Sequence, residues 1–194
     1  MKYRTLVLFG APGSGKGTQG KVLGAIPNMF HFSSGDAFRS LDPNSDLGKT
    51  FKEYSTKGLL VPDELTIRLC VDHIGKVAKS GKFNPATDTL ILDGIPRSLT
   101  QAKALQETVD VKAVLNLGCS NFEDLVQRMK KRAIKEGRTD DADENVIRER
   151  FQTYERQTKP LIDFYGASLV KTVDGLQTPI KVLQDLLEII SKLT

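Results

Sequence analysis

Gly10-Ala11-Pro12-Gly13-Ser14-Gly15-Lys16-Gly17-Thr18 decides the reading of this chain. The stretch follows an apolar run, Thr5–Phe9, and opens a helical pattern over Gly17–Ala25. Its spacing is Gly, four residues, then Gly-Lys, which is the P-loop arrangement. Glycines in such a loop let successive backbone N–H groups point inward around a phosphate. The helix N-terminus behind them adds partial positive charge, and the lysine bridges the outer phosphates. A nucleoside triphosphate is therefore expected at residues 10–18, with Gly13, Ser14, Gly15, Lys16, Gly17 and Thr18 around its phosphates. One departure is informative: Gly17 stands where the pattern has Ser or Thr, and Thr18 follows it.

Outward from the loop, further apolar runs suited to buried strands are Thr89–Leu92, Val111–Leu117 and Ser168–Val173, with a shorter one at Phe30–Ser33. Helical patterns lie between them at Asp63–Lys79, Leu99–Glu107, Phe122–Lys135, Glu144–Phe164 and Pro179–Leu193. Asp63 is expected to cap its helix, and Ser98 or Thr100 the next. Strand alternating with helix predicts βαβ units: an α/β P-loop fold of three layers, with a five-stranded parallel sheet between helices. Ligands in such sheets bind beyond the carboxyl ends of the strands. Two regions break the alternation. Residues 34–62 hold short helical pieces rich in Gly, Pro, Asp and Ser, and read as a small excursion from the core. Ala133–Asp143 is short, polar and strongly charged, and reads as a surface loop.

A length of 194 residues suits one core, so 1–194 is taken as a single domain. Hydrophobic residues at 39% and charged residues at 27% are ordinary for a globular protein. The net charge of +4 is a small difference between 28 basic and 24 acidic side chains, and does not argue for DNA or RNA. Cys70 and Cys119 are far apart and form no CxxC pattern, so neither a disulfide framework nor a zinc site is expected. The apolar run near the N-terminus ends in Gly and Pro, which suits a first strand and not a signal peptide. No stretch approaches the ~20 apolar residues of a membrane helix. A cytoplasmic, reducing setting and a monomer are the expectation.

Asp93 ends the run Thr89–Leu92, where a carboxylate near a P-loop can help hold Mg²⁺, through water. Asp36 is a weaker candidate for the same role, with capping of the following helix as the other reading. Arg39 and Arg97 each follow a glycine-containing turn, and two forked guanidinium groups suit a second phosphate, that of an acceptor. Arg128 and Arg132 lie four apart on one helical face, with Arg138 and Arg150 beyond. The run reads either as a solvated basic face or as the cations a phosphoryl-transfer transition state needs. His31 and His73 sit in no motif, and structural roles are expected for both.

Gly10 to Gln19, including the Gly after Lys16, closely resembles the P-loop of adenylate kinases. Ser33-Ser34-Gly35-Asp36 with Arg39 resembles their Ser-Thr-Gly-Asp motif and its arginine, and Asp93-Gly94-Ile95-Pro96-Arg97 with Gln101 resembles their Asp-Gly-Phe-Pro-Arg segment. Arg138-Thr139-Asp140-Asp141, followed by Arg150, resembles their late arginine-rich segment. The similarity runs nearly end to end. It implies reversible, Mg-dependent transfer between ATP and AMP, giving two ADP, with no zinc; no motif offers a nucleophile, so direct in-line transfer is expected. On the ATP side it implies the loop residues with Arg128, Arg132 and, more loosely, Gln177. For AMP it implies Ser34, Arg39, the backbone at Leu59, Leu60 and Val61, Gly94, Ile95, Pro96, Arg97 and Gln101. Arg138 and Arg150 fall between the phosphates. Lys16, Arg97, Arg132, Arg138 and Arg150 are the implied catalytic set. The stretch from Asp141 to Arg150 is one residue longer than in many relatives, which leaves Arg148 as the alternative to Arg150. Ser34 replaces Thr and keeps the hydroxyl; Ile95 replaces Phe. Only five residues separate Arg132 from Arg138, so the resemblance is to the short-lid form, with 34–62 as the monophosphate-binding part and 133–143 as the lid.

Three other readings stay open at this point. One is a kinase for UMP, CMP or another small acceptor, against which Gln101 favours AMP, since an amide both donates and accepts at an adenine edge. Another is a GTPase-like switch, which wants Ser or Thr after the lysine and an Asn-Lys-x-Asp loop, neither of which the chain has. The last is a basic nucleic-acid-binding protein.

Overall fold

The computed structural model describes residues 2–138 and 141–193, so Thr139 and Asp140 of the late motif lie outside the described residues. Five strands form one sheet: β1 (Tyr3–Gly10), β2 (Met29–Ser33), β3 (Thr89–Asp93), β4 (Val109–Gly118) and β5 (Val170–Asp174). Their order is β2-β3-β1-β4-β5, and every neighbouring pair is parallel. The helices are α1 (Lys16–Leu23), α2 (Ser34–Arg39), α3 (Asp46–Ser55), α4 (Asp63–Lys79), α5 (Leu99–Leu105), α6 (Phe122–Glu136), α7 (Glu144–Thr153), α8 (Leu161–Leu169) and α9 (Pro179–Ser191). This is the α/β P-loop architecture that the alternation predicts.

The strands are apolar almost without interruption because both of their faces are covered. On β1, Leu6 and Leu8 pack with Leu23 of α1 and with Val182, Leu186 and Ile190 of α9. Val7 and Phe9 point the other way, against Ala102 of α5, Val114 of β4 and Leu161 of α8. Farther along that second face, Phe32, Leu90 and Leu92 meet Cys70 and Ile74 of α4. Register then fixes the functional edge. Ser33 pairs with Asp93, Asp93 with Leu8, and Gly10 with Leu117, so the carboxyl ends of β2, β3 and β1 come out side by side. Strand order reverses around β1, the position where doubly wound sheets open a crevice.

Several sequence-based expectations change in the structure. The single helix over Glu144–Phe164 is instead α7, a π-helical turn at Tyr154–Thr158, and α8. Pro160 has no N–H to continue the ladder and its ring crowds the preceding turn, which accounts for the break. The last strand begins at Val170 and not at Ser168, because Ser168 and Leu169 still belong to α8 beyond a non-helical Gly166 (φ 75°, ψ 162°). Pro62, not Asp63, takes the N-cap position of α4. The Asp63 carboxylate instead accepts hydrogen bonds from Ser98 and Gln101. Finally, Ala133–Asp143 is not a surface loop throughout: α6 runs on to Glu136, Gly137 ends it in the left-handed conformation, and Asp141 is fully buried. Ser98 caps α5, and Ser33, not Asp36, caps α2.

Candidate active site

The loop at residues 10–18 owes its shape to close approaches that only glycine permits. A Cβ on Gly10 (φ 137°) would stand 2.6 Å from Ser14 Oγ and 2.7 Å from the Leu117 carbonyl. On Gly13 (φ 81°) it would stand 2.9 Å from the Leu125 carbonyl oxygen. The turn closes with Ser14 N–H donating to Ala11 O at 3.1 Å, and Gly15 leads into α1 in the left-handed conformation. Lys16 folds back over the loop, its Nζ donating to Gly10 O at 2.7 Å and Ala11 O at 3.0 Å. Burial lowers its pKa to about 8; Asp93 pulls it upward, while Arg97, Arg132 and Arg150 push it further down. An anion arriving here would restore the charge.

Two cavities meet at the carboxyl edge of the sheet. The larger, of about 810 Å³, is lined by Gly13, Ser14, Gly15, Lys16, Gly17 and Thr18 on one side and by Arg128, Arg132, Arg138 and Gln177 on the other. Its described lining carries ten Lys or Arg side chains against three carboxylates, which suits a polyanion. The smaller, of about 120 Å³, is lined by Ser34, Leu59, Leu60, Val61, Gly94, Pro96 and Gln101, together with Phe38 and Phe51. Pro12, Lys16, Gly35, Arg39, Arg97 and Arg150 line both. Four cations thus stand where one cavity passes into the other.

The side chains of the smaller cavity are held by their own neighbours. Ser34 Oγ donates to Gly94 O at 2.6 Å, and Arg97 Nε donates to the same carbonyl at 2.7 Å. Thr158, on the π-helical turn, donates to Arg97 O at 2.9 Å. Arg39 pairs with Asp36 at 2.6 Å. Burial pushes the Asp36 carboxyl up, but the Arg39 hydrogen bond and charge, with Lys21 and Arg138, together outweigh it and leave the group below the usual carboxylate range. Phe38 and Phe51 lie parallel, with centroids 5.3 Å apart and planes at 8°. Ile95 has its side chain in the core beside Phe32 and Cys70, 1% exposed, so its side chain turns away from the expected acceptor contact.

On the other side, Arg128 ties α6 to the segment after β5, donating to Gly175 O at 2.7 Å and to Leu176 O at 3.2 Å. Gln177 Nε2 donates to Asp174 O and to Asp185. Arg132 Nε donates to Asp141 at 2.7 Å, and Arg150 pairs with the other oxygen of the same carboxylate. Arg138 pairs with Glu136 at 2.7 Å and approaches Asp36 at 3.7 Å. Arg148 faces outward to Glu144 and Glu123, over the Phe122 ring, whereas Arg150 lines both cavities.

Asp93 is 6% exposed and lines the larger cavity beside Gly17 and Thr18. Behind it His31 Nε2 stands 3.4 Å from Asp93 Oδ2, with its ring seated where a Cβ on Gly20 would come within 2.3 Å. Among the described residues no three His, Cys, Asp or Glu side chains come together as a metal cluster. Nor is any helix there long and apolar enough to cross a membrane.

Several residues of the site carry little signal in the sequence. Asp141 sits within a recognised motif, yet nothing in its spacing says that it is buried between two arginines. Asp63 shows only as a helix start. Phe51 and Tyr154 stand in no motif, and only packing of their segments brings them to the cavity.

A sequence model of the family described as adenylate kinase matches residues 8–170. The chain is 38% identical over 195 residues to an adenylate kinase of Flavobacterium psychrophilum, covering 97% of this chain and 98% of that protein. It is 38% identical over 195 residues to one of Bacteroides thetaiotaomicron, again with 97% and 98% covered. To one of Parabacteroides distasonis it is 41% identical over 180 residues, which is 89% of this chain and 90% of that protein. Similarity of this extent, on a P-loop sheet whose two cavities meet at a cluster of cations, makes the chain a member of the adenylate kinase family.

Proposed function

We propose that the chain catalyses reversible transfer of the terminal phosphoryl group of ATP, as its magnesium complex, to AMP, giving two ADP. The observation that carries this is the meeting of the two cavities at Lys16, Arg39, Arg97 and Arg150. A hydrolase or a switch needs one polyanion pocket. A transferase between two nucleotides needs two, joined where the phosphates face each other.

ATP occupies the larger cavity, its phosphates on the loop N–H groups and Lys16, its base toward Arg128 and the segment around Gln177. AMP occupies the smaller one, its phosphate between Arg39 and Arg97 and its base toward Gln101 and the Leu59–Val61 backbone. No nucleophilic side chain is required. Lys16, Arg97, Arg132, Arg138 and Arg150 surround the group in flight, whose charge spreads over its equatorial oxygens. The donor set fits magnesium, which keeps most of its waters and binds through one or two carboxylates plus phosphate oxygens. Asp93 is the carboxylate that would hold it, with the Thr18 hydroxyl in the same cavity. When bound it neutralises charge on the phosphate oxygens.

Transfer to AMP in place of water calls for exclusion of solvent. Residues 34–62 close over AMP and 133–143 close over ATP, which assembles the arginines only when both nucleotides are present. A coupled assay of the purified protein against AMP, UMP, CMP and GMP tests the acceptor. Faster turnover with a pyrimidine acceptor rejects AMP. ATP hydrolysis without an acceptor, at a rate near that of transfer, rejects closure.

A further inference from the structure

Gln101 is 1% exposed and lines the smaller cavity, yet its amide is held at both ends by the protein. Oε1 accepts from the backbone N–H of Arg97 at 2.7 Å, and Nε2 donates to Asp63 Oδ1 at 2.7 Å. The other Asp63 oxygen accepts from Ser98 Oγ at 2.8 Å, and Ser98 Oγ in turn accepts from Gln101 N–H at 3.1 Å. These bonds settle which end of the amide is which. A backbone N–H can only donate and a carboxylate can only accept, so turning the amide over would set N–H against N–H and oxygen against oxygen. Each end keeps one further position: the second lone pair on Oε1 and the second hydrogen on Nε2.

We infer that Asp63 is a positioning residue for acceptor choice, because it fixes the Gln101 amide in the one orientation that matches adenine. This rests on the reading of Gln101 as the residue facing the acceptor base. Adenine offers a donating amino group beside an accepting ring nitrogen. Hypoxanthine offers the reverse, a carbonyl beside a ring N–H, on a base of the same shape. An amide that could turn over would accept either purine. One pinned by Asp63 accepts adenine and leaves two mismatched pairs against hypoxanthine, the kind of mismatch that discriminates more strongly than shape does. Asp63 also follows the Leu59–Val61 lining by two residues and opens α4, so the same carboxylate ties that wall of the cavity to the start of α5.

The test is the ratio of kcat/KM for AMP to that for inosine monophosphate, measured with MgATP on the parent protein and on Asp63→Ala, Asp63→Asn and Gln101→Ala. Asp63→Ala is expected to lower the ratio about tenfold, the weight of one charge-assisted hydrogen bond, with KM for AMP rising more than kcat falls. Asp63→Asn keeps the shape but can present its own amide either way round, and it should lower the ratio about threefold. That variant carries the test if Asp63→Ala does not fold. A purely structural role for Asp63 would slow both acceptors alike. An unchanged ratio in the Asp63 variants, with a collapsed ratio in Gln101→Ala, overturns the inference and spares the base-reading role of Gln101. An unchanged ratio in Gln101→Ala removes that role, and the inference with it.

Discussion

The two halves of the cleft are built on different principles. The donor half is one continuous stretch, residues 10–18, whose recognition groups are backbone N–H groups and a helix N-terminus. Within that stretch the side-chain demand is a single lysine and the glycines keep the loop tight, while Arg128, Arg132, Arg138 and Gln177 close the cavity from the far side. The acceptor half is assembled from at least five separate places: Ser34 and Arg39, Phe51, Leu59–Val61, Gly94–Gln101, and the π-helical turn after α7. There most recognition groups are side chains, some aimed by hydrogen bonds within their own segment, as Arg97 is by Gly94, and others from another segment, as Ser34 is by Gly94 and Gln101 by Asp63. A site made of backbone can sit in one short motif. A site made of side chains from several elements depends on packing between those elements, and responds to changes far from the ligand.

Substitutions separate the halves. The largest effect is expected from Lys16→Met, since loss of the one cation seated in the loop should reduce kcat by roughly 10³-fold and weaken ATP with it. Calorimetry should show ATP affinity falling more than AMP affinity. Arg97→Ala should slow transfer by roughly 10²-fold or more, with KM for AMP rising further than KM for ATP. Near-normal kinetics would remove Arg97 from the site, and equal damage to both nucleotides would break the division into halves.

Asp141→Ala comes next. It strips Arg132 and Arg150 of a shared, fully buried carboxylate. Both arginines are partly solvated, so the loss in folding stability should be about 2–3 kcal/mol, less than for a wholly buried pair. Denaturant unfolding reads it directly, and a loss under about 0.5 kcal/mol would mean the arginines find other partners.

The smallest effect is a pH dependence that should distinguish lysine from arginine. Lys16, held near a pKa of 8, loses its charge in the nucleotide-free protein as pH rises through that value. Affinity for ATP should then fall by up to tenfold per pH unit above about 8. Affinity for AMP, carried by Arg39 and Arg97 in place of a lysine, should hold. The sign for stability is opposite. Between about 8 and 10.5 the unfolded chain retains a proton on Lys16 that the folded chain lacks, so this group favours the folded state increasingly as pH rises. Parallel loss of ATP and AMP affinity over this range would assign the change to another group.

Legibility in the sequence follows the same division. The strands, their parallel pairing and the P-loop could be reached from apolar runs and one nine-residue motif, because buried parallel strands and phosphate loops impose local patterns, whereas the strand order came from the structure. The arginines were visible as residue types, but their partners were not. Arg150 and Arg148 are two apart on one helix, and only packing turns the first into the cleft while the second meets Glu144 outside. The helix over Glu144–Phe164 read as continuous because its apolar period runs on, although Pro160 marked the place where the ladder had to fail. Asp63 looked like a cap because helix starts attract carboxylates. That it holds Gln101 depends on α4 lying beside α5, a contact 38 positions apart in the chain.

Taken alone, then, the amino-acid sequence determined the fold class, the triphosphate loop and the set of cations available for a second phosphate. Each of these is a property of residue type and short-range spacing. The tertiary structure decided which cation faces which cavity, which carboxylate orients which partner, and how the two cavities join. Those are properties of side chains meeting across elements, where burial, register and hydrogen-bond direction leave one arrangement and the linear order of residues leaves many.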